Sequence, residues 1–60
     1  MKNQRVLRIS DVMERTGLAK PTIYKLISAE RFPPSIKLTR RASGWIADEV
    51  DRWVEERVRE

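Results

Sequence analysis

Val12-Met13-Glu14-Arg15-Thr16-Gly17-Leu18-Ala19-Lys20-Pro21-Thr22-Ile23-Tyr24-Lys25-Leu26-Ile27 reads as helix, tight turn, helix. Its apolar residues include Val12, Met13, Leu18, Ile23, Leu26 and Ile27. Gly17 stands where the first helix must stop, and it supplies the left-handed conformation that ends one. Leu18 then fills the gap between the two helices. Ile23, Leu26 and Ile27 give the second helix one apolar face at i, i+3, i+4. Pro21 is tolerated in its first turn, where a missing N–H is no loss. Lys20, Thr22, Tyr24 and Lys25 are left on faces the core does not need. This is the sequence form of a helix-turn-helix, whose second helix can enter a DNA major groove.

Working outward, Val6-Leu7-Arg8-Ile9 suits an edge strand with Leu7 and Ile9 facing inward. Ser10 is expected to cap the first helix, with Asp11 in its positive first turn. Met13 falls at the third helical position counted from that cap, so no capping box is expected. The first helix should run over about residues 11–16. The second should start at Ala19 or Lys20, poorly capped by Ala19. It should end near Ala29 or Glu30, because Pro33-Pro34 forces extended geometry ahead of it. Phe32 then folds back onto the core.

Ile36-Lys37-Leu38 and Ser43-Gly44-Trp45-Ile46 have strand periodicity, and Thr39-Arg40-Arg41-Ala42 links them as a hairpin. Ile36, Leu38 and Trp45 are expected to point inward, with Arg40 and Arg41 at the tip. Gly44 marks a bulge or a close backbone approach. Asp48 is expected to cap the last helix, whose stripe is Val50, Trp53, Val54 and Val58. The periodicity assigns Trp45 and Trp53 to core packing. Residues 1–5 are expected to form a loose tail, and 6–59 the domain.

Sixty residues allow one domain with a small core. The chain has no cysteine and no histidine. That excludes disulfides and thiolate zinc sites, and it removes the usual general base. Ser10, Ser28, Ser35 and Ser43 have no histidine to activate them. Asp48, Glu49, Asp51, Glu55 and Glu56 lie on one helix opposite its apolar stripe, and serve as helix-end charges and a solvated face. No catalytic residue, cofactor or metal is expected. No apolar run approaches the roughly 20 residues of a membrane span. Met1-Lys2-Asn3-Gln4-Arg5 is followed by no signal-peptide core, so a cytoplasmic location is expected.

The net charge of +4 is unevenly spread. Residues 1–47 hold ten Lys/Arg against three Asp/Glu, whereas residues 48–60 hold three against six. The basic portion contains the helix pair, which points to a polyanion partner. Lysine can reach guanine O6 and N7, and threonine can hydrogen-bond or pack its methyl against thymine. Tyr24 can bond phosphate through its hydroxyl. Arg40 and Arg41 read as a wing that enters a narrow minor groove or clamps phosphates. Lys20, Lys25, Arg31 and Lys37 are candidate phosphate contacts. The plainer alternatives are a polar outer helix face and a solubilising turn.

Val6 to Val58 resembles the AlpA-like regulators of prophages and genomic islands, a branch of the excisionase and MerR-like winged helix-turn-helix proteins. The resemblance rests on Leu7-Arg8, Thr16-Gly17-Leu18, Thr22-Ile23-Tyr24, Phe32-Pro33, Arg41, Gly44-Trp45, Glu49-Val50 and Trp53, in that order and spacing. Ala19, Thr39-Arg40 and Ser43 depart from the family pattern, and Arg40 adds charge at the wing tip. The resemblance implies a cytoplasmic DNA-binding protein without a cofactor. Such proteins activate an integrase or excision gene, or bend DNA beside an integrase.

The expected fold is therefore a winged helix-turn-helix, mainly α with a β-hairpin wing, ordered strand, helix, helix, hairpin, helix. The expected function is sequence-specific binding of double-stranded DNA as a transcriptional regulator. An excisionase acting with an integrase is the first alternative, and a protein-binding inhibitor on the same fold is the second. A module this small buries about 600–1,000 Å² on DNA, so a homodimer or cooperative neighbours are expected.

Overall fold

The computed structural model describes residues 5–59. Its elements run β1 (Val6–Leu7), α1 (Ile9–Thr16), α2 (Lys20–Ser28), β2 (Ile36–Lys37), β3 (Ser43–Ile46) and α3 (Ala47–Val58). This is the expected mainly α fold with a hairpin wing. Gly17 closes α1 at φ 73° and donates its N–H to the Met13 carbonyl at 2.8 Å. A β-carbon there would meet nothing within 4 Å, so backbone handedness and not space demands glycine. Thr16 Oγ1 donates to the Val12 carbonyl at 2.8 Å and accepts the Leu18 N–H at 3.2 Å. The turn is thus tied on both sides.

Both outer helices start earlier than the sequence predicts. Ile9 opens α1 instead of ending a strand, and Arg8, not Ser10, is the N-cap residue. The cause is Asp11, which occupies the third helical position in place of Met13. Its carboxylate reaches back to accept the Arg8 N–H at 3.2 Å, the returning half of a capping box. Likewise α3 begins at Ala47 behind Ile46, and Asp48 is its second residue. The Ala47 N–H donates to the Arg5 carbonyl at 2.8 Å, so incoming backbone satisfies a donor that a cap side chain would otherwise take. The rest of the expected tail, residues 1–4, lies outside the described residues.

Leu7, Val12, Ile23, Phe32, Trp45, Ala47 and Val50 form the buried core, with Ile9, Met13, Leu18, Leu26, Ile27 and Trp53 packed around it. Phe32 folds back as expected, edge-on to Trp53 with ring centroids 4.9 Å apart. Burial fades along the α3 stripe: Val50 is buried, Trp53 and Val54 are half-buried, and Val58 is 77% exposed. The helix outruns a core this small, so Val58 drops out of the expected stripe.

The strands pair antiparallel in the order β1-β3-β2. Leu7 opposes Trp45, while Ile36 opposes Gly44 and Lys37 opposes Ser43. Directly paired residues share a face, and neighbours along a strand alternate. Trp45 and Leu7 therefore face the core together, and Ile36 lies on the opposite side with Gly44. Ile36 and Leu38, expected inward, are 40% and 42% exposed. A one-residue difference in register moves a whole strand's side chains to the other face. Gly44 is a close approach: an added β-carbon would sit 3.1 Å from the Leu7 carbonyl oxygen, 3.1 Å from Leu38 Cδ1, and would collide with Val6 Cγ1. Among the described residues, no helix is long and apolar enough to cross a membrane.

Candidate nucleic-acid interface

Ala19 precedes α2 in extended geometry and offers no side-chain cap. Ile23 is fully buried beneath the helix, with Leu26 and Ile27 half-buried beside it. The opposite face carries Pro21, Lys25 and Ser28 at i, i+4, i+7, flanked by Thr22 and Tyr24. These five exposed residues line an open cleft of about 320 Å³. Three of them, Thr22, Tyr24 and Lys25, are sequence-based candidates. Pro21 and Ser28 are additions; the signal for them is their helical spacing around Lys25, directly opposite Ile23. Lys20 is exposed at the start of the helix, outside the cleft.

Tyr24 links this helix to the sheet. Its ring lies 6.3 Å from that of Trp45, tilted by 57°. Ser43 shares the Trp45 face, and Lys37 pairs across from Ser43. Lys37 therefore stands on the sheet face turned toward α2, and its residue is exposed. Beyond it the chain turns at the hairpin tip. The Leu38 and Thr39 N–H groups donate to the Ala42 carbonyl at 2.8 and 3.1 Å, and the Ala42 N–H returns to the Thr39 carbonyl at 3.4 Å. The Arg41 N–H donates to Thr39 Oγ1 at 3.2 Å. The turn's backbone is thus internally bonded, while Arg40 and Arg41 are exposed at its tip.

Arg31 is placed apart from the α2 cleft. It lines a recess of about 370 Å³ with Leu26, Trp53 and Arg57. Its carbonyl accepts the Trp53 indole N–H at 2.7 Å, and the Arg57 guanidinium lies 4.7 Å from the Trp53 ring centroid. Both tryptophans serve packing, as expected, and Trp45 is the more deeply buried. Arg15 is engaged elsewhere: its guanidinium donates to Asp51 at 2.6 Å, tying α1 to α3. The hydrogen bond and charge of Asp51 raise the Arg15 pKa still further above its ordinary value. Among the described residues α2 and the hairpin carry Lys20, Lys25, Lys37, Arg40 and Arg41 with no acid between them, while α3 presents exposed Asp48, Glu49, Glu55 and Glu56.

Comparison with known proteins bears on this arrangement. The family model described as prophage CP4-57 regulatory protein (AlpA) matches residues 5–58. The protein named ORF88 of Enterobacteria phage P4 is 38% identical over 55 residues, covering 92% of this chain and 62% of that protein. The DNA-binding transcriptional activator AlpA of Escherichia coli (strain K12) is 33% identical over 61 aligned positions, covering 92% of this chain and 87% of that protein. The chain thus spans less than two thirds of the phage relative's length.

Proposed function

Because the chain belongs to the AlpA family of prophage regulatory proteins, we propose that it binds duplex DNA sequence-specifically and regulates transcription in the cytoplasm. The observation that carries this reading is the outward face of α2. It is exposed to solvent, and it bears Thr22, Tyr24 and Lys25 opposite buried Ile23. That is the arrangement a recognition helix needs: an anchored apolar side and a polar side free to meet base edges. Lys25 donates to guanine O6 or N7, and Thr22 meets an adjacent base edge. Lys20 and the Tyr24 hydroxyl hold phosphates, which fix the register of the helix without reading sequence.

The hairpin supplies the second grip. Arg40 and Arg41 enter the adjacent minor groove or clamp its phosphates, where negative potential is high. Lys37 and Arg31 contact phosphate on either side. One such module buries too little surface for tight binding alone, so two or more copies occupy neighbouring sites.

Selection of binding sites from random duplexes, followed by affinity measurement across a salt series, tests the proposal. A preferred sequence should emerge, with affinity falling steeply as salt rises. The Arg40→Ala/Arg41→Ala double variant should flatten the log–log salt slope by about 1.8 if both side chains hold phosphate. An unchanged slope removes the wing from the interface. Selection of no sequence at all overturns the proposal, and affinity for a protein partner that survives salt points to an inhibitor.

A further inference from the structure

The α2 cleft has an uneven chemistry, and Pro21 at its apolar end has no role in the DNA-binding reading above. Pro21 lies on its outward face at the second helical position. A pyrrolidine ring neither donates nor accepts a hydrogen bond, and it is rigid. Thr22, which carries a γ-methyl group, and Tyr24, whose ring also packs against Trp45, line the same cleft. The hydrogen-bonding groups of Lys25 and Ser28 follow one and two turns further along the helix.

Base edges in the major groove are mostly hydrogen-bonding groups. Guanine presents two acceptors, cytosine a donor, and adenine one of each. Setting a proline ring against any of these strips a polar group of water and returns no hydrogen bond. The exception is the 5-methyl group of thymine, the apolar feature of the groove. Resting on the DNA-binding reading above, we propose that the cleft lined by Pro21, Thr22 and Tyr24 takes the 5-methyl group of a thymine. Lys25 lies four residues on, a rise of about 6 Å, or close to two base-pair steps. The structure thereby assigns the site a thymine and, about two base pairs away, an acceptor-rich purine held by Lys25.

Deoxyuridine replaces thymidine with loss of the methyl group alone, so it tests the cleft without altering the protein. In a selected duplex, each thymine is replaced in turn and the affinity of the full chain is measured. At one position the affinity should fall roughly fourfold, the contribution of one buried methyl group. Uracil elsewhere should leave it unaltered. Pro21→Ala, verified as folded by its melting curve, should lose most of the thymine–uracil discrimination at that position. A selected site with no uracil-sensitive position overturns the proposal, as does full discrimination retained by the folded Pro21→Ala variant. Failure of the underlying reading looks different: no duplex is selected, and no thymine remains to test.

Discussion

Glu30 is a glutamate where the backbone calls for glycine. Among the described residues it alone, apart from Gly17, has a positive φ, at 59°. The reason is the exit from α2. The Glu30 N–H donates to the Ile27 carbonyl at 2.9 Å and the Arg31 N–H to the Leu26 carbonyl at 2.8 Å. This is the paired closure of a Schellman motif, with Glu30 at the residue that must turn left-handed. The turn sends Phe32 back into the core against Trp53, so the strain is held in place by packing. A side chain in that conformation costs about 1–2 kcal/mol, part of which glycine gives back through its looser unfolded state. Glu30→Gly should therefore stabilise the fold by about 0.5–1 kcal/mol, raising the melting midpoint by roughly 2–8 °C in a domain this small. A lowered midpoint would show that the glutamate side chain makes a compensating contact.

At the scale of elements, α2 is closed by backbone bonds at its end and lacks a side-chain cap at its start. Ala19 offers no acceptor to the amides of Lys20 and Thr22, and Pro21 has no amide to satisfy. Ala19→Ser should add about 1 kcal/mol of stability and slow amide exchange at Thr22. Ala19→Asp should stabilise equally, with help from the helix dipole, yet weaken DNA binding by setting a carboxylate where a phosphate is expected. Undiminished binding by Ala19→Asp would place the phosphate elsewhere. This helix was legible in the sequence because Gly17 and Pro33-Pro34 bracket it and Ile23, Leu26 and Ile27 mark its buried side. The hairpin was only half legible. Its strands were visible, but the faces of Ile36 and Leu38 depend on pairing with Gly44 and Ser43, a long-range register that alternation within one strand does not contain. The helix starts moved for a related reason, since Asp11 and the Arg5 carbonyl do work the sequence assigned to Ser10 and Asp48. In the candidate site, Thr22, Tyr24 and Lys25 stood out as polar groups on an amphipathic helix. Pro21 did not, because a proline there reads first as a helix-start signal. Arg31 stands out in the sequence only as one more candidate phosphate contact, and the left-handed turn at Glu30 carries it to a separate recess beside Trp53.

At the scale of the whole molecule, charge is segregated by element. Among the described residues α2 and the hairpin carry exposed Lys20, Lys25, Lys37, Arg40 and Arg41 and no acid, while exposed acids crowd α3. The Arg15–Asp51 pair joins the two regions at 2.6 Å. Both partners are partly exposed, so the pair adds little stability; its clearer effect is to withdraw one cation from the surface. Such a distribution turns the basic side toward a polyanion during approach, and contacts then set the affinity. Steering and contact can be separated by two double variants that shift the net charge by the same amount in opposite directions. Glu49→Gln/Glu56→Gln raises the formal charge from +4 to +6, and Arg40→Ala/Arg41→Ala lowers it to +2. Glu49 and Glu56 lie on α3 beside Pro33 and Pro34, away from the α2 cleft. Their neutralisation should speed association at low salt and leave the salt slope of the equilibrium constant unaltered, because no phosphate contact is gained. The arginine variant should flatten that slope. If the two variants moved the slope by equal and opposite amounts, binding would be responding to net charge alone. The hairpin would then lose its place as a specific grip, while the α2 face would keep its own, tested through single thymines.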